Sequence, residues 1–274
     1  TGLLSYGGSG WLQYFMTRGF MDSSPVELLG TPMGSRILLG VGLGLLLLAS
    51  VVATGIASSA GLLAVGVLGL VSIVLSIVPA LMLEVYMTAA EVIPPQFLDG
   101  MVYGLPLILH PLMGGLGLGL LVARRRPDPH VAASVAGLVV VPLMLLLGAG
   151  LLFRGVAEGA AFAMRMFRLD VQPMVVVLVL AGALLVTLGG AASRWSPYAL
   201  IVPALVTLVA SLAMMSSDVL SLISGLWNSP TASSAVSFLL VGGGLAAAVV
   251  MLVHTVVLAI VRHRARRQAR ALAS

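Results

Sequence analysis

The 274-residue sequence contains no cysteine, no lysine and few charges of either sign. Without cysteine there is no thiol nucleophile, no disulfide framework, no iron–sulfur ligation and no zinc site built on thiolates. Without lysine there is no Schiff-base chemistry, which excludes a retinal pigment whatever the helix number. Charged residues make up 8% of the chain, against about 25% in soluble domains. What fills the chain is apolar: 60% hydrophobic residues and a mean hydropathy of +1.15. These values exclude a soluble globular domain and a disordered chain, and they imply a polytopic membrane protein. The net charge of +5 comes from 14 arginines against nine acids. In so apolar a chain, arginine clusters mark membrane topology rather than a nucleic-acid partner.

About 20 apolar residues are needed to cross about 30 Å of hydrocarbon. Seven stretches meet that length: Ile37 to Ala57, Gly61 to Met82, Val102 to Ala123, Val131 to Phe153, Met174 to Ala192, Tyr198 to Leu222 and Val236 to Val261. None alternates as a barrel strand would. The expected fold is therefore an all-α, polytopic integral membrane bundle of seven helices. Residues 36–262 form the membrane domain, between a leading segment, 1–35, and a basic tail, 263–274. With seven spans, Arg124–Arg126, Arg194 and the five arginines from Arg262 to Arg270 share one side. They number nine, against five on the other side. The richer side is expected in the cytoplasm, with the N-terminus outside and the bundle in the inner (plasma) membrane. Basicity carried by arginine alone, with richness in Ala, Val, Leu and Gly, suggests a prokaryotic source.

Residues 1–35 lack a signal-peptide pattern. Trp11, Tyr14, Phe15, Phe20 and their apolar neighbours around Gln13 and Arg18 suggest a short amphipathic helix, lying in the interface or packed on its own bundle. Gly7 reads as part of a polar tail there. Gly115 and Gly119, and Gly242 to Gly244, read as surfaces for close helix contact. They are no nucleotide loop, because no strand or soluble phosphate site accompanies them.

Spans one to three and five to seven share an orientation, and an offset of about 136 residues brings Arg124 near Arg262. That allows a repeat of 36–126 and 172–264, with the fourth span between them. This three-plus-one-plus-three layout resembles the SWEET sugar transporters in span count and N-out orientation. Their paired Pro-Gln motifs are not matched, since Pro95-Gln96 occurs once.

Polar side chains inside spans are costly and mark functional candidates. Asp218, near the outer end of the sixth span, shares a face with Ser211 and Ser221 and is flanked by Ser217. It is a candidate for binding a cation, carrying a proton or holding a substrate, or else a helix-end acid facing outer water. Ser72 and Ser76 form a weaker stripe in the second span, which Glu84 ends. His110, between Pro106 and Pro111, is a candidate proton or quinone ligand with Glu84, Glu91 or Asp218. His254 lies near the other face, so a heme held by both histidines is disfavoured. No metal site is expected. Arg165 and Arg168, one helical turn apart, and Trp11 are candidate contacts for lipid headgroups or a partner.

No nucleotide-binding, protease or headgroup-transferase motif is present, which leans against an enzyme. Two readings fit: a small transport protein or transporter subunit, and a non-catalytic anchor subunit of a larger respiratory or secretory complex, lining a quinone site. A lipid-modifying enzyme is a third. The expected partners are the bilayer and either other membrane subunits or a second copy.

Overall fold

The computed structural model describes residues 1–18, 31–126, 131–159, 163, 166, 169–223, 225 and 228–273. Among these there is no strand. Twelve helices follow in order: α1 (Gly2–Arg18), α2 (Pro32–Ala53), α3 (Ala60–Ile77), α4 (Pro79–Ala90), α5 (Pro95–Val102), α6 (Leu105–Arg125), α7 (Val131–Glu158), α8 (Pro173–Ala192), α9 (Ile201–Ala213), α10 (Ser217–Leu222), α11 (Pro230–Leu240) and α12 (Gly243–Ala273). Single 3₁₀ turns, Thr54–Ile56 and Ser193–Trp195, end α2 and α8.

Six helices, α2, α3, α6, α7, α8 and α12, are long and apolar enough to cross a membrane. Broad faces of α2, α3 and α7 expose Leu39, Leu46, Val67, Leu70, Leu146 and Leu147. Apolar patches of that extent are at home in lipid and not in water.

Four of the expected spans are interrupted where local chemistry dictates. Val78, before Pro79, takes φ −110°, ψ 94° and separates α3 from α4, because a residue preceding proline is driven out of the α region. Gly104 and Gly242 adopt φ of 76° and 84°, a region glycine enters without a Cβ penalty. They separate α5 from α6 and α11 from α12. The stretch Tyr198 to Leu222 is also divided. α9 has 13 residues, about 20 Å of helix, and ends at Ala213 with Met214 as its cap. Ser216 and Ser217 then favour a turn and cap over helix continuation.

α6 is the central helix. In its apolar window 78% of residues are buried, against 22% in α2 and α3. Glycine makes that possible. A Cβ on Gly66 of α3 would stand 2.6 Å from the Gly114 Cα of α6, and a Cβ on Gly115 would run into the Thr187 carbonyl of α8.

α1 is a helix, as the sequence suggests. It starts at Gly2, and its first turns are buried: Leu4, Ser5, Gly7, Gly8, Ser9 and Gly10. It packs antiparallel on α2, so the polar-tail reading of Gly7 is corrected: a Cβ there would lie 2.7 Å from the Val41 nitrogen. α7 packs antiparallel on α8 in the same manner. A Cβ on Gly44 would stand 2.7 Å from Leu4 Cγ, and one on Gly182 would stand 2.8 Å from Leu152 Cγ. α1 also meets α5 through the stacked rings of Tyr6 and Phe97, centroids 4.5 Å apart. α7 meets α11 through the edge-on rings of Phe153 and Phe238, centroids 5.3 Å apart.

The arginines expected on one side do gather at one end of the bundle. Arg124 donates to the Gly55 carbonyl and Arg262 to the Arg194 carbonyl. Both carbonyls lie at C-terminal helix ends, which attract cations.

Candidate functional site

The polar groups inside the bundle form a seam along α6. His110 lies five residues into that helix, so about 8 Å from its start. Its Nδ1 is 3.3 Å from Ser72 Oγ on α3. Gly69 lets the helices approach there, since a Cβ at that position would stand 3.0 Å from His110 Cβ. The adjoining Pro111 has no N–H for the helix ladder. Its carbonyl accepts from Thr187 Oγ1 of α8 at 3.3 Å, while the same hydroxyl donates to Ala183 at 2.8 Å. Ser76 Oγ donates to the Ser72 carbonyl at 2.9 Å, two residues before the α3–α4 break at Val78. The seam therefore offers an imidazole and hydroxyls to a proton or a small polar ligand.

A second imidazole sits nearer the arginine end. His254 is fully buried, with Nε2 3.3 Å from Ser193 Oγ and Nδ1 without a hydrogen-bond partner. Ser193 Oγ also donates to the Gly190 carbonyl at 2.6 Å. His254 precedes Arg262 by eight residues and His110 precedes Arg124 by 14, so the two imidazoles lie at different depths, about 12 and 21 Å from that end.

The expected carboxylates do not join the seam. Glu84 and Glu91 are exposed on and just after α4. Asp218 is exposed in the first turn of the short α10, at the division of the sixth stretch and not within a continuous span. Ser211, expected on its face, is buried against α12 with an unpartnered hydroxyl. The side chains of Ser217, Ser221 and Trp11, and all of Arg165 and Arg168, lie outside the described residues. Among the described residues no three His, Asp or Glu side chains gather as metal ligands.

Two polar clusters escaped the sequence reading. Ser5 Oγ donates to the Gln96 carbonyl and accepts from the Gly100 N–H, both at 2.6 Å. This ties α1 to α5 across more than 90 residues. Beside it, Tyr86 donates to Asp99 at 3.2 Å. Burial raises the Asp99 carboxyl above its usual value, and the tyrosine hydrogen bond offsets part of that rise. Such pairs join residues far apart in sequence, and no local spacing announces them. At the same end a shallow cleft between the α3–α4 break and the start of α8 is lined by Ile77, Pro79, Glu158, Asp170 and Gln172. Its Glu158 is paired with Arg154 at 2.9 Å.

Comparison with protein-family models, with curated proteins and with solved structures finds no match.

Proposed function

We propose that this chain is a membrane transport protein built from two tandem halves, residues 1–126 and 131–273, with its polar site on the His110 seam between them. One observation carries the reading. Arg124 and Arg262 make the same bond to the same kind of carbonyl, and they stand 138 residues apart. The glycines that open the buried helices, Gly104 and Gly242, share that offset. So do Gly44 and Gly182, each pressed by a leucine of the preceding antiparallel helix.

In this reading α7 opens the second half, as α1 opens the first, and does not stand between two triplets. The halves have parallel orientation, which is one plan for transporters that rock about a site between repeats. α6 belongs to the first half yet packs on α8 of the second through Thr187 and Pro111. His110 and Ser72 stand beside that junction. The α9–α10 stretch completes seven crossings, with the arginine end in the cytoplasm.

The test needs no known substrate, because the chain has no cysteine to remove. Spin labels at Ser58 and Arg264 report the arginine end, and labels at Glu91 and Val171 the other. Electron–electron distances in nanodiscs are expected to show two states, in which one end widens as the other narrows. A single fixed distance at both ends, with co-purification of other subunits in constant ratio, would overturn transport in favour of the anchor-subunit reading.

A further inference from the structure

α12 is longer than a membrane crossing requires. Its 31 residues reach about 46 Å, against about 30 Å of hydrocarbon. Arg262, buried and bonded to the Arg194 carbonyl, marks the level of the arginine end. Beyond it the helix continues with His263, Arg264 and every residue from Arg266 to Ala271 exposed.

His263, Arg266, Arg267 and Arg270 follow at i, i+3, i+4 and i+7, which places them on one face. The opposite face holds Ala265, Gln268 and Ala269. Through Ala271 that face carries no large apolar side chain, so this stretch has little to sink into a membrane as an amphipathic helix does. At the same end α6 finishes in exposed Arg125 and Arg126. Of the nine acids in the chain, Asp128 alone stands in the segments that connect helices at this end. The field there is of one sign.

The headgroup zone adds about 5–8 Å beyond the hydrocarbon on each side. Arg266 and Arg267 lie about 6–8 Å past Arg262, at the depth of lipid phosphates. Arg270 lies one turn further. We propose that the His263–Arg266–Arg267–Arg270 stripe, with Arg125 and Arg126, is a binding surface for anionic phospholipid headgroups. It selects acidic lipid around the arginine end of the bundle. Charge complementarity and depth carry this, and neither depends on what the protein transports.

The probe is a nanodisc containing the full chain in one part phosphatidylglycerol to three parts phosphatidylcholine. Lipid retained on mild extraction is measured by mass spectrometry. The retained phosphatidylglycerol-to-phosphatidylcholine ratio is expected to exceed the bilayer's own ratio by more than about tenfold. Each arginine near the surface contributes a factor of about five, so the triple variant R266Q/R267Q/R270Q should lose at least tenfold of that enrichment. R154Q, at the opposite end, should retain it. Thermal stability in pure phosphatidylcholine, equal for wild type and triple variant, shows that the triple variant folds. Enrichment unchanged in the triple variant would overturn the proposal. So would displacement of the lipid by inorganic phosphate at equal phosphate concentration, since a site for free phosphate would then be present.

Discussion

α6 and α7 cross the same bundle under opposite rules. The best apolar window of α7 has a hydropathy of 2.6 and is 28% buried, whereas that of α6 has only 1.8 and is 78% buried. The less hydrophobic helix is the inner one. In water the hydrophobic effect drives apolar side chains inward. Lipid is as apolar as leucine, so burial there follows close packing and hydrogen bonding instead. α6 accordingly carries Gly114, Gly115, Gly117, Gly119 and His110 within it, while α7 turns Leu143, Leu146 and Leu147 outward.

The strongest test of that contrast exchanges one glycine on each helix. Gly115→Leu drives a side chain into the α8 backbone at Thr187, and should cost more than about 3 kcal/mol, the upper end for overpacking. Gly150→Leu on α7 meets nothing within 4 Å and should leave stability unchanged. Gly7→Leu should behave like Gly115→Leu, against the polar-tail expectation. Thermal unfolding of the three variants in one detergent ranks them, and a stable Gly115→Leu would mean that α6 does not lie at the centre.

A smaller effect compares the two halves. Arg124→Gln and Arg262→Gln each remove a charged hydrogen bond to a carbonyl, worth about 1.5–3 kcal/mol. If the halves are repeats, the losses should match within about 0.5 kcal/mol and add in the double variant. A loss confined to one arginine would break the equivalence.

The smallest expected effect is a pH dependence at the opposite end. Asp99 binds its proton more tightly in the fold than in the unfolded chain, because burial disfavours the carboxylate. Its contribution to stability is therefore fully present below the ordinary carboxylate pKa and lost as pH rises through the raised value. Asp99→Asn keeps an acceptor for Tyr86 and removes the titration. The wild-type stability profile should fall relative to the variant across that window, and parallel profiles would show that Asp99 is not desolvated.

Much of the fold was legible from residue type. Length and hydropathy located the six long helices, because a helix is the local answer to a long apolar run in lipid. The arginines marked one end, where Arg124 and Arg262 each meet a carbonyl at a helix end. The division of the sixth stretch was harder to see. Ser216 and Ser217 weaken a helix by an amount that an apolar run of 25 residues conceals. As a result, Asp218 read as a residue within a span, although it occupies the first turn of a separate helix.

Composition and periodicity are properties of one segment, and they determine whether that segment is helical and apolar enough to cross a membrane. Partners are a property of two segments. His110 with Ser72, His254 with Ser193 and Ser5 with Gly100 are joined across 38, 61 and 95 residues. The sequence by itself determined a helical membrane chain with a basic end. Only the tertiary structure decided that α6 lies inside and that α1 pairs with α2 as α7 does with α8. Those choices depend on which glycines face which backbones, and helix packing in lipid is selected by that fit and not by hydrophobicity.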